Sequence, residues 1–266
     1  RLRGRLAGSG LSQEEQDEEV PWSPGSVLAW LRPQLHRLIG AERRRSERLA
    51  ELREAATHLP FPHPQPRPVQ EKIGEAVASA VEDSRHLLLR APTGCGKTAA
   101  VLHPAVRAAL GRGQRVFFLT AKTLQQRLAV ETAVAMQEGL FRSLQLRAKS
   151  KMCANTEIIC HEEFCPYARD YGQKLVRSGL LQHLLDGGSH HDPDRIFEAA
   201  REHTVCPFEL SLDLLPEVDV VVCDYNYVFD PTIGLGALVN NEALRDAVLI
   251  IDEAHNLVDR SREYYS

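Results

Sequence analysis

Two short stretches hold residues whose types and spacing could act on a phosphate anhydride. The first is Ala91-Pro92-Thr93-Gly94-Cys95-Gly96-Lys97-Thr98. Its glycines let the backbone bend so that several N–H groups face one phosphate, and the helix that follows the loop adds the partial positive charge of its N-terminus. Lys97 is placed to reach β- and γ-phosphates, and Thr98 to offer its hydroxyl to Mg²⁺. Cys95 reads as a small residue tolerated in a tight turn. The second stretch is Val248-Leu249-Ile250-Ile251-Asp252-Glu253-Ala254-His255, an apolar run ending in two carboxylates. At the carboxyl end of a parallel strand Asp252 would face the ligand crevice and hold the same Mg²⁺. Glu253 would then polarise the attacking water. His255 stands too far along to hold the metal and is expected to link this site to another domain.

A third constellation lies between these two. Cys153, Cys160, Cys165 and Cys206 are separated by six, four and forty residues, and Cys165 and Cys206 are each followed by Pro. Four thiolates can hold zinc or an iron–sulfur cluster. Only Cys160 and Cys165 have the close spacing of a zinc pair, and unpaired structural cysteines are the plain alternative. Cys223 ends an apolar run and reads as core. The nearby His161, His183, His190, His191 and His203 are expected to be exposed rather than ligating.

Positioning these residues requires strands that stop where the loops begin. The spacing predicts a helix over Val69–Val81, a strand at His86–Arg90 leading into the glycine loop, and a helix from there to Leu110. It also predicts a strand at Arg115–Leu119, a helix over Thr123–Glu138 and strands at Val218–Cys223 and Val248–Asp252. The last two are continuously apolar and β-branched, as in a parallel sheet covered on both faces. Strand–helix alternation gives an α/β, doubly wound core. Residues 146–215 break that rhythm, hold four of the six cysteines and read as a separate, mostly helical subdomain. Upstream, Ser26–His58 has helical periodicity, with Pro33 a candidate break. The five prolines of Leu59–Pro68 form a linker, and Glu14–Glu19 is an acidic, solvated segment. The expected organisation is therefore a helical extension over 1–60, a nucleotide-binding domain from 61–145 and 216–266, and the insert 146–215.

Composition narrows the class without choosing within it. With 43% hydrophobic and 26% charged residues, the chain is of ordinary globular type. No apolar run nears the ~20 residues of a membrane span, and the N-terminus lacks the apolar stretch of a secretory signal. A net charge of −4 excludes a uniformly basic nucleic-acid binder but not a basic face. Six cysteines in a chain of intracellular type argue for metal ligation or burial over disulfides. The chain begins with Arg1 rather than Met, and we expect a piece of a longer protein.

Taken in order, these motifs resemble those of the XPD/DinG family of superfamily 2 iron–sulfur DNA helicases. The resemblance covers about Phe61–Ser266. It rests on Arg67-Pro68-Val69-Gln70, Ala91–Thr98, Lys151-Met152-Cys153, Cys160 through Cys165-Pro166-Tyr167, Cys206-Pro207-Phe208, Asp224-Tyr225-Asn226-Tyr227-Val228-Phe229-Asp230-Pro231 and Asp252–His255. It implies a RecA-like P-loop NTPase domain with a DEAH-type box, where Ala91 in place of the first Gly marks a helicase subtype. It implies a 4Fe–4S cluster on Cys153, Cys160, Cys165 and Cys206, and places Arg67 and Gln70 near the nucleotide base. Thr120 and Lys122 fall where a DNA-contacting motif is expected. The implied activity is ATP-dependent 5′→3′ movement on single-stranded DNA and unwinding of forked duplex in DNA repair. The implied protein is a monomer in the bacterial cytosol, away from membranes.

The family continues with an arch domain and a second motor domain that supplies an arginine finger. The expectation is that these 266 residues bind ATP weakly at most and do not unwind DNA by themselves. Residues 1–60 read as a helical connector or the tail of an upstream nuclease-like domain. Phe164, Tyr167 and Tyr171 are candidate stacking platforms for bases, with core packing as the alternative. Two other functions stay open: a nucleotide-dependent DNA-binding switch or scaffold, and a zinc-bearing RNA helicase.

Overall fold

The computed structural model describes residues 24–92, 94–230, 244 and 246–264. The acidic segment Glu14–Glu19, Thr93 and Pro231 lie outside these. The chain divides into two units, Arg1–Glu51 and Leu52–Ser266. Helix α1, Pro24–His58, runs through Pro33 without breaking. Pro33 and Ala29 are exposed, so water can bond the carbonyl that the missing N–H leaves free. In the first unit α1 exposes Leu28, Leu31, Leu35 and Ile39 at three- and four-residue steps.

The second unit is built on a five-stranded parallel sheet. Its strands are β1 (Arg115–Leu119), β2 (Ser143–Gln145), β3 (His190–His191), β4 (Val220–Cys223) and β5 (Ala247–Ile251). Their order is β3-β2-β4-β1-β5, and every pairing is parallel. Parallel neighbours need covered crossovers. One is α4 (Thr123–Gln137), between β1 and β2, whereas α2 (Pro68–Glu82) and α3 (Lys97–Arg112) precede the first strand. Gly113 ends α3 at φ 71°, a conformation that glycine adopts without a Cβ penalty.

Side chains of β1 alternate between two cores. Val116 and Phe118, with Val220 and Val222 of β4, pack against Leu102, Val106, Leu110, Ala129 and Met136 of α3 and α4. The last turns of α1 join them through Leu52 and Ala56. Phe117 and Leu119, with Val221 and Cys223, pack against the other face. That face is covered by α6 (Tyr171–Ser178), α7 (Leu180–Asp186), α8 (Pro193–Glu202) and α9 (Pro207–Asp213). A short α5 (Lys149–Met152) precedes them. Residues 146–215 thus form the second helical layer of the α/β core and contribute β3 to its sheet. Each fully buried large side chain in these layers contributes roughly 1.5–3 kcal/mol. Among the described residues two more short helices follow, α10 (Asn226–Phe229) and α11 (Asn256–Tyr264).

The strand expected at His86–Arg90 is absent. That segment is irregular and makes no ladder, and Leu87, Leu88 and Leu89 are 45%, 93% and 37% exposed. Three leucines supply the hydrophobicity of a buried strand, but a strand also needs a hydrogen-bonded neighbour. Among the described residues the edge strand β5 pairs with β1 alone, and its Leu249 is 39% exposed. The exposure expected for the histidines of the insert also fails at two positions. His191 is only 2% exposed and His190 is half-buried, because both form β3 and pair with Ser143 and Leu144.

Candidate functional site

The glycine loop is held by the helix that precedes it. Arg67 caps α2, its backbone N–H donating to Gln70 Oε1 at 2.8 Å. That turn aims both side chains at the loop. Arg67 Nη1 donates to the Gly94 carbonyl at 3.2 Å, and Gln70 Nε2 to the Gly96 carbonyl at 3.3 Å. Gly94 and Gly96 have φ of 78° and 77°, a region most residues avoid. A Cβ on Gly96 would also lie 2.3 Å from Gln70 Nε2. Beyond Gly96 the chain enters α3, with Lys97 and Thr98 half-buried in its first turn. Cys95 is buried, as a packing role requires, while Ala91 is half-buried and Pro92 exposed.

The acidic pair stands at the carboxyl end of β5. The Asp252 N–H donates to the Leu119 carbonyl at 2.9 Å, which continues the ladder with β1 by one residue. Burial pushes the Asp252 carboxyl above its ordinary range, and the neighbouring Glu253 charge pushes the same way. Lys97 and then Lys122 oppose that rise. Lys97 and Lys122 thus lie near enough to Asp252 for their charges to act on it, although the three are far apart in sequence. Thr120 is fully buried, and its N–H bonds the Cys223 carbonyl at 3.1 Å, so of the pair Thr120 and Lys122 only the lysine is exposed.

Glu253 has φ 52°, a strained setting for a residue with a Cβ, costing about 1–2 kcal/mol. Its carbonyl accepts from the backbone N–H and from Nδ2 of Asn256, each at 3.0 Å. The Tyr225 hydroxyl donates to the Asp252 carbonyl and lies 3.4 Å from that of Glu253. His255 Nδ1 is 3.4 Å from Glu253 Oε2, and the His255 side chain is mostly exposed. Sequence reasoning assigned no role to Tyr225 or Asn256. Tyr225 stands two residues past the apolar run of β4, a position that aims nowhere until the strand order is known.

The cysteines are only partly gathered. Cys165 is buried and its Sγ accepts from Asn155 Nδ2 at 3.1 Å. Cys206 caps α9 and its thiol is pushed up, by burial first and with Cys165 adding to the rise, so these two are neighbours. Cys153 is half-buried and Cys160 exposed. Among the described residues no three His, Cys, Asp or Glu side chains are grouped as a metal site. Four thiols suit an iron–sulfur cluster or zinc in kind, with two of them drawn together. Cys223 is fully buried in β4, in its expected core role.

Of the candidate stacking aromatics, Phe164 is 69% exposed and Tyr167 half-buried. Tyr171 is buried and donates its hydroxyl to Asp213 Oδ2 at 2.7 Å. A ring so enclosed is core and cannot stack on a base.

A parallel α/β sheet, a glycine loop opening a helix and an Asp-Glu pair at a strand's carboxyl end define a RecA-like P-loop domain. The chain belongs to the DEAD_2 family, whose description matches residues 119–266, more than half its length. It is 24% identical over 257 residues to the Drosophila melanogaster regulator of telomere elongation helicase 1 homolog, covering 75% of this chain and 25% of that protein. It is 22% identical over 236 residues to the Saccharomyces cerevisiae XPD/RAD3 helicase subunit of the general transcription and DNA repair factor IIH, covering 74% and 29%. A solved XPD helicase superposes with a TM-score of 0.51 at 21% identity, covering 73% of this chain and 34% of that one. The chain thus spans about a quarter to a third of the length of these relatives. No helix among the described residues is long and apolar enough to cross a membrane.

Proposed function

We propose that this chain is the first motor domain of an ATP-dependent DNA helicase of the XPD/DinG type, with 5′→3′ movement on single-stranded DNA. The observation that carries the reading is the convergence of Lys97, Asp252 and Glu253 at the carboxyl end of the sheet. Backbone N–H groups of Gly94–Thr98 and the Lys97 ammonium bind the phosphates of ATP. Thr98 and Asp252 would hold Mg²⁺, which neutralises phosphate charge in such sites. Glu253, half-buried beside Asp252, orients the attacking water and accepts its proton. Arg67 and Gln70 bear on the loop from α2 and serve the nucleotide base. His255, exposed at the rim, serves a neighbouring domain.

Single-stranded DNA is the substrate that relatives named as DNA repair and telomere helicases suggest. Lys122 and the exposed Phe164 are groups that would grip its phosphates and stack its bases. Cys153, Cys160, Cys165 and Cys206 would hold a 4Fe–4S cluster, whose chemistry here is to cross-link the lobe. The protein works as a monomer in the bacterial cytosol.

The test is to purify the full-length protein without oxygen and measure iron, acid-labile sulfide and zinc alongside DNA-stimulated ATP hydrolysis. Unwinding of 5′- and 3′-tailed duplexes is followed in the same preparation. DNA-stimulated hydrolysis with 5′-tail preference and iron and sulfide in equal amounts is the expected result. Zinc without sulfide overturns the cluster, 3′-tail preference overturns the polarity, and nucleotide binding without hydrolysis overturns the motor.

A further inference from the structure

Glu253 is the strained residue of the acidic box, and such a conformation persists only where its neighbours over-determine it. Two residues do so. Asn256 donates twice to the Glu253 carbonyl from the downstream side, at 3.0 Å each. Tyr225 comes from elsewhere in the sheet. It follows β4, which is not a neighbour of β5, since β1 lies between them. Its fully buried ring crosses the carboxyl end of β1 and sets the hydroxyl on the Asp252 carbonyl, with the Glu253 carbonyl at 3.4 Å. A buried tyrosine hydroxyl needs a partner, and here the backbone oxygens of Asp252 and Glu253 lie within its reach, with the Asn256 and Thr120 side chains and the Ala121 backbone beside them.

We propose that Tyr225 is a positioning residue for ATP hydrolysis: its hydroxyl fixes the Asp252–Glu253 peptide so that the Glu253 carboxylate stays aimed at the attacking water. This rests on reading Lys97, Asp252 and Glu253 as an ATP-hydrolysing site. With the hydroxyl removed, Glu253 is free to relax from its positive φ and swing its carboxylate. The loop, Lys97 and Thr98 still bind nucleotide, so the loss falls on the chemical step rather than on binding.

The experiment uses the full-length protein with saturating single-stranded DNA. Tyr225→Phe keeps the ring and removes only the oxygen. Its kcat for ATP falls ~10-fold or more, as small misplacements of catalytic groups produce, with KM for ATP unchanged. In a Glu253→Gln background the same substitution changes kcat no further, because there is no carboxylate left to aim. Asn256→Ala, at a half-exposed position, releases the same carbonyl from its other side. It gives the same kcat-only loss, and decides the matter if Tyr225→Phe does not fold. The proposal is overturned if Tyr225→Phe hydrolyses ATP like the parent, if KM rises in proportion, or if it lowers kcat equally in the Glu253→Gln background. Parent-like hydrolysis by Glu253→Gln alone instead overturns the reading of the site itself.

Discussion

At the scale of single residues, Asp252 is a carboxylate whose burial works against its ionised form. Burial and the adjacent Glu253 raise its pKa, so the folded protein prefers the neutral acid, and at neutral pH the ionised form weakens the fold. That penalty is present above the raised folded pKa and disappears as pH falls through it. Asp252→Asn should therefore raise the Tm of the nucleotide-free protein at pH 7 while abolishing Mg²⁺-dependent hydrolysis, which calorimetry and a phosphate-release assay would show together. Gly96 carries a different constraint. Gly96→Ala meets both a positive φ and the Gln70 amide. It should destabilise the protein by about 1–2 kcal/mol and displace Gln70, readable as a lower urea midpoint and weaker nucleotide binding.

At the scale of elements, the β2–β3 edge is where the sheet is sensitive to acid. His190 Nδ1 lies 2.8 Å from Ser143 Oγ. Burial lowers the pKa of both β3 histidines, that of His191 to about 4, with His190, Arg142 and Arg195 adding to the effect. A histidine that stays neutral when folded takes up its proton on unfolding. Its contribution is whole above the ordinary histidine pKa and is lost as pH falls from about 6.5 toward 4. Protection factors at Leu144 and His191, taken against the intrinsic exchange rate at each pH, should fall over that interval in the parent. In His191→Leu the fall should be smaller, while the protection of the central β1 stays high in both.

At the scale of the whole molecule, the sheet ends in two edge strands, β3 and β5, each with one neighbour among the described residues. The β5 edge pairs with β1 alone among the described residues, and the leucines of 87–89 are exposed beside the loop they introduce. Amides of Leu87–Arg90 should exchange within the dead time of an ordinary hydrogen-exchange experiment, whereas those of Val116–Leu119, buried between β4 and β5, should stay protected. Protection at Leu87–Arg90 equal to that of β1 would show that the segment is laddered in solution.

The sequence by itself determined the local parts. The apolar runs of β1, β4 and β5, the helices flanking them and the motifs at Ala91–Thr98 and Asp252–His255 were legible because periodicity, glycine placement and strand-end carboxylates are local signals. Only the tertiary structure decided what depends on neighbours. Three leucines at 87–89 did not make a strand, because laddering depends on a partner that lies elsewhere in the chain. His191 and Tyr171 were buried by pairing and packing that no local pattern announces. The strand order, with β1 between β4 and β5, set the Tyr225 hydroxyl on the acidic box, a placement that residue types and spacing do not contain.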